Sequence, residues 1–139
     1  MLAKTMIDAL QLLERTYSYQ KPPLTIVQLI LLQVLNEQSF SKATDPKLVR
    51  ASGIDHDTVR KLFHRIQKRG FIEHYGGTKT QGKRVRLTDK GRNALHLAQN
   101  CYNNAERQFT SSMSPSVRPS FLKALREVTS ARSSLSQTP

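Results

Sequence analysis

Residues 55–69 read Asp55-His56-Asp57-Thr58-Val59-Arg60-Lys61-Leu62-Phe63-His64-Arg65-Ile66-Gln67-Lys68-Arg69, and Gly70 follows. Val59, Leu62, Phe63 and Ile66 recur at i, i+3, i+4 and i+7, the spacing that lines up apolar side chains along one stripe of an α-helix. The opposite side carries His56, Asp57, Arg60, Lys61, His64, Arg65 and Lys68. A helix buried along its apolar stripe therefore turns an almost wholly cationic face to solvent, suited to phosphates and guanine edges. Asp55 is a good N-cap acceptor, and Gly70 can adopt the left-handed conformation that ends a helix.

The segments on either side give this helix its context. Asp45-Pro46 is an N-cap with proline at the first helical position, and Leu48, Val49 and Ala51 make a short helix that stops at Gly53. A short helix, a glycine turn and then the basic helix is the layout of a helix-turn-helix, whose second helix enters the major groove. Downstream, Ile72–Tyr75 and Arg84–Leu87 read as strands flanking a Gly-rich basic loop that holds Gly76, Gly77, Lys79, Gly82 and Lys83. Helix-turn-helix followed by a basic hairpin predicts a winged helix.

Helices close the chain at both ends. Leu2, Met6, Leu10, Leu13 and Tyr17 mark a first helix ended by Pro22-Pro23. Thr25 with Gln28 forms a capping box that opens an interior helix rich in Leu, Ile and Val. A polar loop is expected over residues 36–43. Thr88 is an N-cap for a long helix from Asp89 to about Ser111, striped by Ala94, Leu97, Ala98, Cys101, Tyr102, Ala105 and Phe109. Ser114-Pro115 opens a final helix striped by Val117, Phe121, Leu122, Leu125 and Val128. The predicted class is mainly α with a small β-hairpin wing. The expected organisation is an N-terminal helix over residues 1–20, a winged helix-turn-helix over 24–88, C-terminal helices over 89–131 and a disordered tail over 132–139.

Composition narrows the partner. The 139 residues suit one domain, and 22 Lys+Arg against 10 Asp+Glu leave a formal charge of +12, which points to DNA, RNA or an anionic membrane surface. Eleven of those basic residues fall between Arg60 and Arg92, against only Glu73 and Asp89. The charge is therefore a patch. Leu24–Leu35 is too short and too interrupted to span a bilayer, which takes ~20 apolar residues. The opening decapeptide carries Asp8 and lacks the pattern of a signal peptide, so a soluble cytoplasmic protein is expected. Cys101, the single cysteine, excludes an internal disulfide and reads as a packed, inert thiol. His56, His64, His74 and His96 lack metal-ligand spacing, and no nucleophile motif, phosphate loop or carboxylate pair suggests an enzyme or a cofactor.

With these residues together, the chain resembles the MarR family of winged-helix transcriptional regulators over nearly its whole length. The resemblance is carried by Leu24-Thr25 with Gln28, by Asp55 with Thr58-Val59, Arg65 and Lys68-Arg69-Gly70-Phe71-Ile72, and above all by Leu87-Thr88-Asp89-Lys90-Gly91-Arg92. It implies a homodimer, held by the first and last two helices, that offers two winged helices to a pseudo-palindromic duplex operator, most simply as a repressor. It also implies a small-molecule pocket, with Tyr17, Tyr19 and His74 as candidates for its lining. The basic helix supplies Arg60 and Lys61 for base edges, Arg65 and Lys68 for phosphates, and Thr58 for a phosphate or a thymine methyl. In the wing, Lys79, Lys83, Arg84 and Arg86 are DNA-contact candidates, but the tip lacks the family's Asp-x-Arg pattern, so which of Lys79, Lys83 and Arg84 enters the minor groove stays open. The competing class is a phage or plasmid replication or packaging protein, or an adaptor whose wing contacts protein or RNA.

Overall fold

A computed structural model describes residues 2–41, 45–77, 82–116, 118, 119 and 123. In chain order it contains α1 (Leu2–Tyr19), α2 (Ile26–Glu37), α3 (Pro46–Ser52), α4 (His56–Lys68), β1 (Ile72–Tyr75), β2 (Arg84–Leu87) and α5 (Asp89–Ser111). The chain divides into two units, Leu24–His96 and Met1–Pro23 with Leu97–Pro139, and the division falls within α5.

The Leu24–His96 unit grows from its helix caps. Thr25 Oγ1 accepts from the Gln28 amide at 3.2 Å, and Gln28 Oε1 accepts from the Thr25 amide at 3.0 Å. This reciprocal pair starts α2 and satisfies Gln28, whose side chain is buried among apolar neighbours. Leu29, Leu31, Leu32 and Leu35 of the same helix are buried, as are Leu48 of α3 and Val59, Leu62, Phe63 and Ile66 of α4. Asp45 caps α3 through the Lys47 amide at 3.0 Å, and Gly53 at φ +68° ends it in the left-handed conformation. Burial works against the charged form of the Asp45 carboxyl, but hydrogen bonds from the Lys47 and Ser41 amides outweigh it and hold the group below its ordinary range.

β1 and β2 pair antiparallel, with Ile72 opposite Leu87, Glu73 opposite Arg86, His74 opposite Val85 and Tyr75 opposite Arg84. Ile72, Val85 and Leu87 face the core, while Glu73, Arg84 and Arg86 face solvent. The stretch after α2, expected as a polar loop, contains a structural anchor. Phe40 is 1% exposed and forms a bridge with Val85, whose amide donates to the Phe40 carbonyl at 2.9 Å. A lone aromatic in a polar run has no period to reveal it, yet its ring fills the core and its backbone satisfies the open edge of β2.

The other unit is built on Tyr17, 1% exposed, which meets Tyr102 edge to face with ring centroids 6.4 Å apart. Burial, and secondarily the neighbouring Cys101, push the Tyr17 hydroxyl up to about 12. Gln20 Nε2 donates to the Cys101 carbonyl at 2.9 Å, and Asn104 Nδ2 donates to Gln20 Oε1 at 3.4 Å. Cys101 itself is half-buried. Ala98 and Ala105 are fully buried, whereas Ile7 is 55% exposed, Leu10 59% and Leu97 55%. Of the stripe expected on the first helix, Tyr17 is buried, Leu13 half-buried and Leu10 open to solvent. The stripe from Val117 to Val128, the tail and Lys79 lie outside the described residues.

Candidate nucleic-acid interface

The buried stripe of α4 fixes the orientation of the helix, and its ends are tied separately. At the N-terminus Asp55 Oδ1 accepts from the Thr58 amide at 3.0 Å, while Thr58 Oγ1 donates to Asp55 Oδ2 at 2.6 Å. These two bonds, side chain first, hold the Asp55 carboxyl below its ordinary range. Thr58 is consequently half-buried, with its hydroxyl proton committed to the cap.

The C-terminus of α4 is gripped by the start of α5. Gly70 at φ +78° turns the chain, and the Phe71 amide donates to the Ile66 carbonyl at 3.0 Å. Lys90 Nζ donates to the Arg69 carbonyl at 2.8 Å and Thr88 Oγ1 to the Gly70 carbonyl at 2.6 Å. Both bonds capture carbonyls of the turn just beyond the helix end, and the lysine charge suits the negative end of the helix dipole. The Phe71 ring is approached by two cations, Arg69 at 4.4 Å and Lys90 at 5.5 Å from its centroid. Thr88 also receives the Gly91 amide at 3.0 Å, which caps α5. Leu87-Thr88-Asp89-Lys90-Gly91-Arg92 is thus a clamp on the basic helix, a role that no local periodicity could disclose.

Between these ties His56, Asp57, Arg60, Lys61, His64, Arg65 and Lys68 are all exposed, so the structure brings them onto one solvent-facing surface. Among the described residues the ion pair on α4 is that of Asp57 with Arg60 at 3.7 Å, and His56 Nδ1 lies 3.9 Å from the same carboxylate. Lys61, Arg65 and Lys68 therefore carry their charge without an acidic neighbour.

Several wing cations are placed differently. Arg86 Nε donates to Glu73 Oε1 at 2.9 Å across the hairpin, and its guanidinium lies 4.7 Å from the Tyr75 ring centroid. Arg84 Nη1 donates weakly to Ser39 Oγ at 3.4 Å, and Lys83 is exposed beside Gly77. Arg92 pairs with Asp89 and also donates to the Leu87 carbonyl at 2.9 Å. An open cleft lined by Gly70, Glu73, Arg86, Thr88, Asp89, Lys90 and Arg92 is accordingly polar, but its three cations are engaged by local acceptors. Arg69, Arg86, Lys90 and Arg92 thus serve the fold, and among the described residues Lys61, Arg65 and Lys68 of α4 present charge to solvent without an ion pair.

Among the described residues no three His, Cys, Asp or Glu side chains come together as a metal-binding group. No helix among them is long and apolar enough to cross a membrane.

No family model matches the sequence, and neither does any curated relative. Solved structures do match. BpsR of Bordetella bronchiseptica, whose DNA binding is regulated by 6-hydroxynicotinic acid, is 22% identical; the match covers 93% of each chain with a TM-score of 0.76. Sco3205, a MarR family transcriptional regulator from Streptomyces coelicolor solved in complex with DNA, is 21% identical over 94% of this chain and 84% of its own, with a TM-score of 0.72. The transcriptional repressor CouR, bound to a 23-mer duplex, is 19% identical over 93% and 92% at a TM-score of 0.76. The fold is that of the MarR-family winged-helix regulators.

Proposed function

We propose that this chain is a sequence-specific, duplex-DNA-binding transcriptional regulator of the MarR type, a cytoplasmic repressor without catalytic activity that works as a homodimer on a pseudo-palindromic operator. The observation that carries the reading is the α4 surface, a helix locked at both ends whose exposed side presents Arg60, Lys61, Arg65 and Lys68. Arg60 and Lys61 read base edges in the major groove, and Arg65 and Lys68 contact phosphates. The likeness to Sco3205 and CouR, both solved on DNA, supports duplex DNA as the partner.

Dimerisation is supported by Ile7, Leu10, Leu12 and Leu97, large apolar side chains left open to solvent in the single chain. Two such winged helices would meet half-sites about one helical turn, ~34 Å, apart. The regulation of BpsR by a small aromatic acid supports an effector site here as well, of unassigned chemistry.

A salt titration with a selected operator and a random duplex tests the proposal. Both affinities should fall as salt rises while the operator keeps an advantage of ~10³-fold or more. Equal affinity for the two duplexes at every salt concentration would overturn it.

A further inference from the structure

Asp57 is the single acidic residue of α4, set among His56, Arg60, Lys61, His64, Arg65 and Lys68 on the exposed face. Its side chain is 77% exposed, so no burial requirement of the fold keeps it there. Capping does not require it either, since Asp55 already receives both the amide and the hydroxyl of Thr58. What remains for a first-turn acid is a small, salt-screened interaction with the helix dipole and a loose, exposed pair with Arg60, neither worth much to the fold.

On a surface that meets a polyanion, a carboxylate repels every duplex alike. Its presence is advantageous only where some sequences compensate for that repulsion. The major groove provides such sequences, because the cytosine N4 amino group is a donor that a carboxylate accepts, while guanine O6 and N7 match the arginine fork. Asp57 and Arg60 stand one turn apart on the same face, which sets an acceptor beside a set of donors. At 3.7 Å they form an ion pair and not a hydrogen bond. Arg60 therefore keeps its donors for guanine while the carboxylate restricts where its guanidinium swings.

We infer that Asp57 is a specificity-determining residue, whose carboxylate accepts from a cytosine amino group next to the guanine read by Arg60 and repels the protein from duplexes that lack it. The inference rests on the DNA-binding function proposed above.

The test is selection from a randomised duplex pool with the parent protein and with Asp57→Asn, followed by affinity measurements on the selected and random duplexes. The parent should enrich a cytosine at one position of each half-site. Asp57→Asn should accept other bases there, bind random duplex more tightly than the parent, and show an operator-to-random ratio lowered by ~5-fold or more. Its melting temperature should stay close to that of the parent, which separates this role from a merely structural one. If Asp57→Asn raises affinity for all duplexes by one common factor and enriches the same motif, Asp57 is only a charge and the inference fails. If the parent enriches no motif at all, the DNA-binding reading fails and the inference with it.

Discussion

Gly91, in the first turn of α5, lies directly against the backbone carbonyl of Phe71, so a Cβ built at position 91 overlaps that oxygen and comes within 2.9 Å of its carbon. The Phe71 carbonyl cannot retreat freely, because it also accepts the Thr88 amide at 3.0 Å. Gly91→Ala would gain up to ~1 kcal/mol of helix propensity. Opposing it, the overlap falls on backbone at the clamp and should cost about 1–3 kcal/mol beyond that gain. The expected outcome is a lower denaturation midpoint with an unchanged m-value, read by urea titration. An unchanged or raised midpoint would show that α5 can shift without loss.

Acid should loosen α3 and α4 from their N-terminal ends. Asp55 and Asp45 both have carboxyls held below the ordinary value of 3.8 in the folded chain. A depressed folded pKa contributes stability that is present above the unfolded value and lost as pH falls through the folded one. Denaturant midpoints should therefore be flat above about pH 5 and decline below about pH 4. Asp55→Asn keeps an N-cap acceptor but removes the titration, so its acid decline should be shallower than that of the parent; parallel curves would assign the decline to other groups.

The apolar residues left open on α1 predict the oligomeric state. Ile7 and Leu10 are neighbours on one face at i, i+3, each more than half exposed. Burial of each in a dimer would contribute about 1.5–3 kcal/mol. Ile7→Glu with Leu10→Glu should leave a folded monomer at micromolar concentration where the parent is dimeric, by light scattering with circular dichroism. A dimer that survives both changes would place the interface elsewhere.

Most of this fold was legible because its elements announce themselves locally. Thr25 with Gln28, Asp45 before Pro46, and Asp55 before the apolar period mark three helix starts, while Gly53 and Gly70 mark two stops at positive φ. Phe40 was missed because its partner Val85 lies 45 residues away in sequence and its own surroundings are polar. The same limit applies to the candidate site. Which residues share the exposed face of α4 follows from a period of 3.6, but the capture of Arg86 by Glu73 depends on a cross-strand register. Likewise Lys90 could be counted as patch charge until its bond to the Arg69 carbonyl placed it in the clamp.

The two ends of the α4 surface should fail differently on mutation. Arg60→Ala removes a bidentate reader of guanine and should lose about 1–3 kcal/mol on the operator with relaxed base preference. Lys68→Ala removes a phosphate contact and should weaken operator and random duplex about equally. Fluorescence anisotropy on both duplexes separates the two outcomes, and an equal loss on both for Arg60→Ala would refute base reading at that position.

The wing cations divide into committed and uncommitted groups, and their salt dependence should reveal it. Arg86 is held by Glu73 at 2.9 Å and lies over Tyr75, so part of its charge is already neutralised within the hairpin. Lys83 and Arg84 pair with no carboxylate among the described residues, and residues 76–83 hold no Asp or Glu, so Lys79, Lys83 and Arg84 are expected to act as counter-charges to phosphates and to a narrowed minor groove. Gly76 and Gly77, at φ +64° and +99°, leave the hairpin entry adaptable, and fixing such backbone on DNA costs roughly 1–2 kcal/mol per residue. The cations must offset that cost. Replacing Lys79, Lys83 and Arg84 together by alanine should leave the protein folded and its central base preference intact, while the slope of log K against log salt flattens by up to about 0.9 per lost contact in each protomer. Arg86→Ala should flatten the slope less than the average of those three, because Glu73 already neutralises part of its charge. A triple variant with the parental slope would mean that the wing does not touch DNA. A larger flattening from Arg86→Ala than from the triple variant would instead move the principal phosphate contact from the wing tip to the strand.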